Sequence, residues 1–260
     1  MSINSLKKNL RLFGIDLVVL KNSLRGIGFY IRDLSAIKKQ KGTDTNFELG
    51  KKNPILGERF TESGKMSGHY FHQDLLVAQK IFKNNPIKHI DIGSRTDGFV
   101  AHVAVFRKIE IIDIRPQTSK TENIIFRRAD LMQLPIDMVN AYDSVSSLHA
   151  IEHFGLGRYG DPIDYFGYLK AIENITKILQ TGGKFYFSVP IGPQRIEFNA
   201  HRVFSVSYLM DLFDKQFILD NFSYVDDKGD LFENVVLIHS EIQSNYGCIY
   251  GCGIFELTKK

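Results

Sequence analysis

The sequence of 260 residues has only two cysteines, Cys248 and Cys252, no tryptophan and no long apolar run. Two thiols without a secretory signal do not make the disulfide framework of a small extracellular domain, and they favour a reducing compartment. Charges interrupt the apolar stretches near the N-terminus, which fall short of the roughly 20 residues that span a bilayer. We therefore expect a cytoplasmic protein without a membrane-spanning helix.

Neither sign of charge dominates, since the sequence has 33 Lys and Arg and 29 Asp and Glu, for a net charge of +4. The distribution is uneven. Residues 1–41 hold nine Lys or Arg against two Asp, which is +7 and leaves −3 for the remainder. Enzymes of nucleic acids normally carry basic surface around the active site. The mildly acidic body therefore indicates that nucleic acid is not the partner.

Apolar residues recur at helical spacing between residues 6 and 37, with Lys and Arg between them. This pattern predicts one or two amphipathic helices in a basic arm, residues 1–41. Such a helix either lies on an anionic inner-leaflet membrane surface or packs on its own domain or a second subunit. Residues 42–65 carry few apolar side chains and are predicted to be a linker or surface loop.

From residue 66 onward, apolar segments typical of strands alternate with amphipathic helical segments. This alternation predicts an α/β domain over residues 66–260, with a Rossmann-like, doubly wound and mostly parallel sheet. The predicted strands are residues 87–92, 109–114, 124–127, 142–147, 183–189, 217–225 and 253–257. The predicted helices are residues 67–85, 98–106, 165–179 and 205–212.

Acidic residues follow three successive strands, namely Asp91, Asp113 and Asp130. Ligands of open α/β sheets bind beyond the carboxyl ends of the strands, where a glycine such as Gly93 allows close approach. Asp113 lies 22 residues after Asp91, the separation expected of an acid that binds ribose hydroxyls. Asp130 is placed to accept from an adenine amino group. The predicted cofactor-binding residues are Asp91, Gly93, Arg95, Asp97, Asp113, Arg115, Asp130, Leu131 and His149.

The turn after the first strand, DIGSRTDG over residues 91–98, resembles that of class I S-adenosylmethionine-dependent methyltransferases. The resemblance implies S-adenosylmethionine as the cofactor. The second and third glycines of that turn are here Arg95 and Asp97. These two either pair with the methionine carboxylate and ammonium or cap the following helix. The three-glycine pyrophosphate turn of dinucleotide oxidoreductases is missing.

A polar segment, HAIEHFGLGRYGDP over residues 149–162, follows the fourth strand. His149, Glu152 and His153 have the spacing of an inverted zinc-protease motif, but the glycines that follow break the helix such a motif needs. A pocket wall is therefore the preferred interpretation. A histidine is the natural base at neutral pH. The predicted catalytic residues are His153, then His201, with Glu152 or Asp161 as orienting partners.

A second polar segment follows the fifth strand, and we expect the two loops to face one another across an acceptor pocket. Guanidinium groups there suit phosphate or carboxylate on the acceptor. Structural salt bridges are the competing interpretation. The predicted substrate-binding residues are Arg158, Tyr159, Arg195, Glu197, Asn199 and Arg202.

Four motifs identify the span from residue 66 to the C-terminus as similar to a domain of unknown function, DUF268. They are HAIEHFGLGRYGDP at 149–162, VPIG at 189–192, RIEFNAHR at 195–202 and YGCGIF at 250–255. The resemblance implies a methyltransferase-like fold, often in a bacterial surface-polysaccharide context. It supplies no catalytic residue.

The leading hypothesis is methyl transfer from S-adenosylmethionine to a hydroxyl of a sugar, sugar nucleotide or growing glycan. The alternative is a non-methylating protein that binds sugar nucleotides or acts as a scaffold in glycan assembly. No metal is predicted, because Cys248 and Cys252 have no histidine or cysteine close by in sequence and are expected to be buried small hydrophobes. The oligomeric state is left open.

Overall fold

The computed structural model describes Leu10 and residues 12–134 and 136–260. It divides into two compact units, Met1–Lys65 and Met66–Lys260. The part of the predicted arm in residues 1–9 and 11 lies outside the described residues. Among the residues described, no helix is both long and apolar enough to cross a membrane.

The first unit is built on helix α1, Leu17–Lys41. Asp16 begins it, because its carboxylate accepts hydrogen bonds from the backbone N–H groups of Val18 and Val19, which lack partners inside the helix. Gly26 is buried on α1 and packs against the backbone of Leu56. The predicted N-terminal helix is therefore present.

The second unit contains ten strands and five helices in the residues described. Its helices are α2 His69–Asn84, α3 Ala101–Ala104, α4 Gly167–Ile178, α5 Val206–Asp214 and α6 His239–Gln243. Its strands are β1 His89–Ile92, β2 Ile109–Asp113, β3 Ile124–Arg128, β4 Tyr142–Leu148, β5 Leu179–Ile191, β6 Arg195–Glu197, β7 His201–Val203, β8 Phe217–Val225, β9 Leu231–Phe232 and β10 Gly251–Lys259. A wide helical turn, Thr96–Val100, leads into α3.

Eight strands form one sheet in the order β3-β2-β1-β4-β5-β10-β8-β9. Strands β1 to β5 are parallel, and β10 runs antiparallel between β5 and β8. The sheet order reverses between β1 and β4, and this switch point is where open α/β sheets bind ligands. The predicted mostly parallel, Rossmann-like sheet is confirmed.

Apolar side chains form two buried clusters in this unit. One cluster includes Ile172 and Ile175 of α4 with Phe185 and Phe187 of β5. The other includes Val77 and Ile81 of α2 with Ile109 and Ile111 of β2. The β5 segment is buried throughout its second half, as a strand covered on both sides must be. A rigid sheet therefore supports the loops at its carboxyl edge.

Besides the short elements β9 and α6, three features of this unit differ from the sequence prediction. A hairpin of β6 and β7 lies within the polar segment after β5. The helix expected over residues 98–106 is shorter, because Gly98 has non-helical backbone angles. The final strand is longer than residues 253–257 and runs antiparallel to β5.

Candidate functional site

A cleft of about 570 Å³, part of it open to solvent, lies at the carboxyl ends of β1, β2 and β4. Apolar lining comes from residues such as Ile112 and Met132. The predicted site residues that line it are Gly93, Asp113, Arg115, Asp130, Leu131, His149, His153, Tyr159 and Asp161.

Gly93 forms part of the cleft where β1 ends. Its φ of +71° lies in the left-handed region, which a residue with a Cβ avoids. A Cβ added there would lie 3.1 Å from the Cβ of Ala150 on the segment after β4. The glycine therefore allows two chain segments to approach closely at the bottom of the cleft.

Asp91, in contrast, is buried and supports the turn from beneath. One carboxylate oxygen accepts from the hydroxyls of Ser94 and Ser146, both at 2.6 Å, and the other accepts from the N–H of Ser94 at 2.9 Å. Burial raises the pKa of Asp91 to about 6, although these hydrogen bonds oppose the shift. Asp91 thus holds β1 and β4 together at the switch point, and it does not line the cleft.

Asp113 stands at the end of β2 with its carboxylate directed by Arg115. The N–H and Nε of Arg115 donate to Asp113 Oδ1 at 2.8 and 2.9 Å, and Nη2 donates to Oδ2. Further along the cleft, Asp130 accepts from the N–H of Met132 at 2.9 Å. Local hydrogen bonds therefore orient both of these acids at the cleft.

Arg95 and Asp97 form an exposed ion pair with each other. Arg95 Nη2 lies 3.0 Å from Asp97 Oδ2, and the guanidinium also lies 5.1 Å above the ring of Tyr70. Arg95 makes no side-chain capping hydrogen bond to the helix that follows. Both residues line a second depression with Asp91, and this depression shares Gly93, Asp113 and Arg115 with the cleft.

The segment after β4 brings three titratable side chains together. His149 Nδ1 lies 2.7 Å from Glu152 Oε1, and His153 Nε2 lies 3.8 Å from the same oxygen. Burial opposes ionisation of Glu152, but His149 and His153 outweigh it and lower the pKa of this carboxyl. His149 has a φ of +50°, and such strained backbone in a residue other than glycine is often found at functional sites.

The orientation of His153 is set by a backbone carbonyl. Its Nδ1 lies 2.6 Å from the oxygen of Ala200, which also accepts from Arg158 at 2.9 Å. The carbonyl can only accept, so Nδ1 carries the proton and Nε2 keeps its lone pair. Burial lowers the pKa of His153, which favours the neutral ring.

Asp161 organises the glycine-rich loop through hydrogen bonds from backbone N–H groups. Its carboxylate accepts from the N–H groups of Gly155, Gly157 and Tyr159 at 2.8 to 3.2 Å. Tyr159 is thereby placed with Arg115 4.4 Å from its ring centre and with its ring 5.4 Å from that of His153. The loop thus joins the Asp113 side of the cleft to the His153 side.

The predicted substrate-binding residues after β5 separate into different environments. Arg195 Nε pairs with Glu197 Oε1 at 2.9 Å, and Asn199 is exposed. His201 lies 3.5 Å from Glu197 and its ring is 6.4 Å from that of His153. Arg202 is buried, and its guanidinium donates to the backbone carbonyls of Glu152, Phe154 and Tyr165, which is the arrangement expected of a structural role.

Residues at the start of α2 and just before β10 reach the same region, and none of them was a predicted site residue. The ring of His69 stacks on that of His149 with centres 5.2 Å apart, and Tyr250 lies 5.5 Å from His69 and 5.1 Å from His201. Burial, followed by the proximity of His149, lowers the pKa of His69 to about 4. No recognisable spacing in the sequence links these residues, because they come together only when helix and sheet pack in the folded chain.

Solved structures with this fold include two that match most of the second unit. The cyclase SpnF is 14% identical, with a TM-score of 0.51 over 72% of this chain and 80% of its own. The 1,6-didemethyltoxoflavin-N1-methyltransferase of Burkholderia thailandensis, solved with 1,6-didemethyltoxoflavin and S-adenosylhomocysteine, is 14% identical, with a TM-score of 0.52 over 72% of this chain and 79% of its own. At this identity the likeness concerns the fold.

A comparison with curated proteins found no match. A family model described as a Caenorhabditis protein of unknown function, DUF268, matches residues 108–245, which is more than half of the chain. That span includes the glycine-rich loop, the Arg195–Arg202 segment and most of the cleft. The chain therefore belongs to the DUF268 family, and its second unit has the methyltransferase-like Rossmann fold.

Proposed function

We propose that the second unit is a methyltransferase that binds S-adenosylmethionine in the cleft and methylates a hydroxyl of a sugar, sugar nucleotide or glycan. The observation that carries the proposal is the pairing of Gly93 with Asp113 at adjacent strand ends. Gly93 leaves room for close approach, and the oriented Asp113 carboxylate suits two vicinal ribose hydroxyls. Apolar Ile112 and Leu131 with Asp130 provide surfaces for a purine. The residues present therefore fit the cofactor.

The cofactor supplies an activated methyl group, so the protein's task is to hold the acceptor oxygen in line and remove its proton. His153 fits this task because the Ala200 carbonyl fixes its tautomer and leaves Nε2 to accept a proton. Glu152, 3.8 Å from Nε2, stabilises the imidazolium that forms. His201 is the second candidate for the base.

The acceptor proposal is supported by the charged side chains on the two loops. Arg158 lies beside His153 with its guanidinium 5.2 Å from the ring of Tyr159. Arginine binds phosphate and carboxylate oxygens through paired donors. An anionic sugar derivative is thus the acceptor class that this charge favours. We place the proposed reaction in bacterial surface-polysaccharide synthesis.

Calorimetry with S-adenosylhomocysteine tests the cofactor proposal. Asp113→Asn removes a charged acceptor whose hydrogen bonds are worth about 1.5–3 kcal/mol each, so we expect about 10- to 100-fold weaker binding. Asp137→Asn is the matched control, since Asp137 holds Arg127 in the same two-point manner outside the cleft. Absence of binding to the unaltered protein, or equal binding by both variants, would contradict the proposal.

The non-methylating alternative predicts a different pattern of ligand stabilisation. The Arg95–Asp97 ion pair favours it, since each of these side chains already has a partner at the turn where the methionine moiety would bind. In that case sugar nucleotides raise the melting temperature while S-adenosylmethionine does not. The methyltransferase proposal expects stabilisation by S-adenosylmethionine.

For the first unit we propose peripheral attachment to an anionic inner-leaflet surface. Helix α1 exposes apolar side chains on one face, including Leu24, Ile27 and Ile31, and its last turn carries Lys38, Lys39 and Lys41. An apolar face flanked by basic residues is typical of helices that lie on acidic membranes. Flotation on anionic vesicles should be lost in a chain that begins near residue 42. Equal flotation of both chains would exclude the arm as the anchor.

A further inference from the structure

A cluster of side chains of the types that bind metals lies beside the cleft. It consists of His69 at the start of α2, His149 after β4 and Cys252 in β10. One potential ligand atom from each residue lies within 4.8 Å of the other two. The imidazole rings are parallel to within 5°. Three parts of the chain that are distant in sequence thus bring two nitrogens and a sulfur within 4.8 Å of one another.

His149 has the environment of a metal-binding histidine. Its Nδ1 is 2.7 Å from the carboxylate of Glu152, while its buried Nε2 makes no hydrogen bond of normal geometry among the described residues and interacts electrostatically with Cys252. The side chain is only 4% exposed. Histidines that bind metals almost always donate their other ring N–H to such a carboxylate. A buried nitrogen without a hydrogen bond of normal geometry is costly, and a metal ion between His149 and Cys252 would satisfy it.

Cys252 is fully buried, and its sulfur has a weak hydrogen-bond partner, Gln73 Oε1 at 3.6 Å. That oxygen also accepts from the hydroxyl of Ser188 at 2.6 Å. Loss of the thiol proton on metal binding therefore leaves Gln73 with a donor. His69 is partly exposed and provides the side from which an ion can enter.

We propose that His69, His149 and Cys252 bind a zinc ion. Thiolate and imidazole ligands select zinc over magnesium or calcium, which prefer oxygen. Zn–N bonds of about 2.0–2.1 Å and Zn–S bonds of about 2.3 Å place tetrahedral ligands roughly 3.3–3.8 Å apart, so the side chains need to close by about 1 Å. Three protein ligands leave a fourth position for water or an acceptor oxygen. His149 also lines the cleft, so the ion would lie at its edge.

Zinc titration of chelator-treated full-length protein tests this site without any methyl donor, so its outcome does not depend on the proposed function. We expect one zinc ion per chain. Cys252→Ser and His69→Gln should each weaken zinc binding by 100-fold or more, because each removes a ligand. Glu152→Gln, which removes the carboxylate behind His149, should weaken it by about 10- to 100-fold.

Cys248→Ser is the matched control, since Cys248 is equally buried but lies outside the cluster. It should bind zinc as the unaltered protein does. Cobalt in place of zinc should give the near-ultraviolet absorption of a metal–thiolate bond, and only Cys252→Ser of the two cysteine variants should lose it. Circular dichroism identifies a variant that fails to fold, and His69→Gln at the partly exposed position then decides. No zinc binding, or binding unchanged in His69→Gln, would overturn the proposal.

Discussion

Gly93 gives a sharp test of whether the cleft is a ligand site, through the substitution Gly93→Ala. Alanine at a φ of +71° costs about 1–2 kcal/mol, or roughly 2–8 °C in melting temperature for a unit of this size. Its Cβ would also lie 3.1 Å from the Cβ of Ala150, so one chain segment must move by a few tenths of an ångström. We expect at least about 10-fold weaker binding of S-adenosylhomocysteine, which is about 1.4 kcal/mol.

Gly182→Ala separates backbone strain from crowding in the cleft. Gly182 has a φ of +77°, and nothing lies within 4 Å of the position of an added Cβ. Both variants should lose similar stability in thermal unfolding, while only Gly93→Ala loses affinity in calorimetry. The reasoning is refuted if Gly93→Ala binds as tightly as the unaltered protein. Equal loss of affinity in both variants would also refute it, because the effect would then come from general destabilisation.

Three further predictions test the fold. Burial lowers the pKa of His89 to about 3, so acid favours the unfolded state, in which this histidine binds a proton more readily. His89→Gln should therefore avoid a loss of about 3 kcal/mol in the free energy of unfolding between pH 7 and pH 4, as measured by urea unfolding. Parallel pH profiles of the variant and the unaltered protein would contradict this. Gly26→Ala should disrupt α1, because the added Cβ would meet the backbone oxygen of Leu56. Gly28→Ala is the control, since its Cβ would lie in open space, and it should raise the stability of the helix by up to about 1 kcal/mol. Circular dichroism compares the two, and equal effects would contradict the packing of Gly26 on Leu56. Arg202→Gln should lower the free energy of unfolding by about 2–4 kcal/mol, because it leaves buried carbonyls without a donor. Unchanged stability would instead favour the prediction that Arg202 binds the acceptor.

The sheet was predictable because apolar strands and amphipathic helices alternate along most of the second unit. Strand β2, Ile109–Asp113, and strand β3, Ile124–Arg128, lie within one residue of their predicted ends. The antiparallel insertion of β10 was not predictable, since strand direction depends on the path of the whole chain. Short elements such as β9, Leu231–Phe232, have too few residues to show a period.

The candidate site shows the same division between local and long-range information. Asp113 and Gly93 were found because each follows a strand directly, and the ends of parallel strands meet at one edge. His69 was not singled out, and Cys252 was expected to be a buried small hydrophobe, because no spacing links them to His149, which they approach only when α2 and β10 pack on the sheet. Their signal in the sequence is the residue type alone, and a lone histidine or cysteine is more often a core residue.

Three acids at successive strand ends look equivalent in the sequence, but the structure gives them different tasks. Asp91 is buried under three hydrogen bonds from serines, so its charge is already used to join β1 to β4. Asp113 is held by Arg115 at the cleft, and the same arginine lies against Tyr159 of the glycine-rich loop. A ligand that engages Asp113 therefore acts on a side chain coupled to the loop beside His153. Occupancy at the Asp113 end of the cleft should thus influence the position of the acceptor loop.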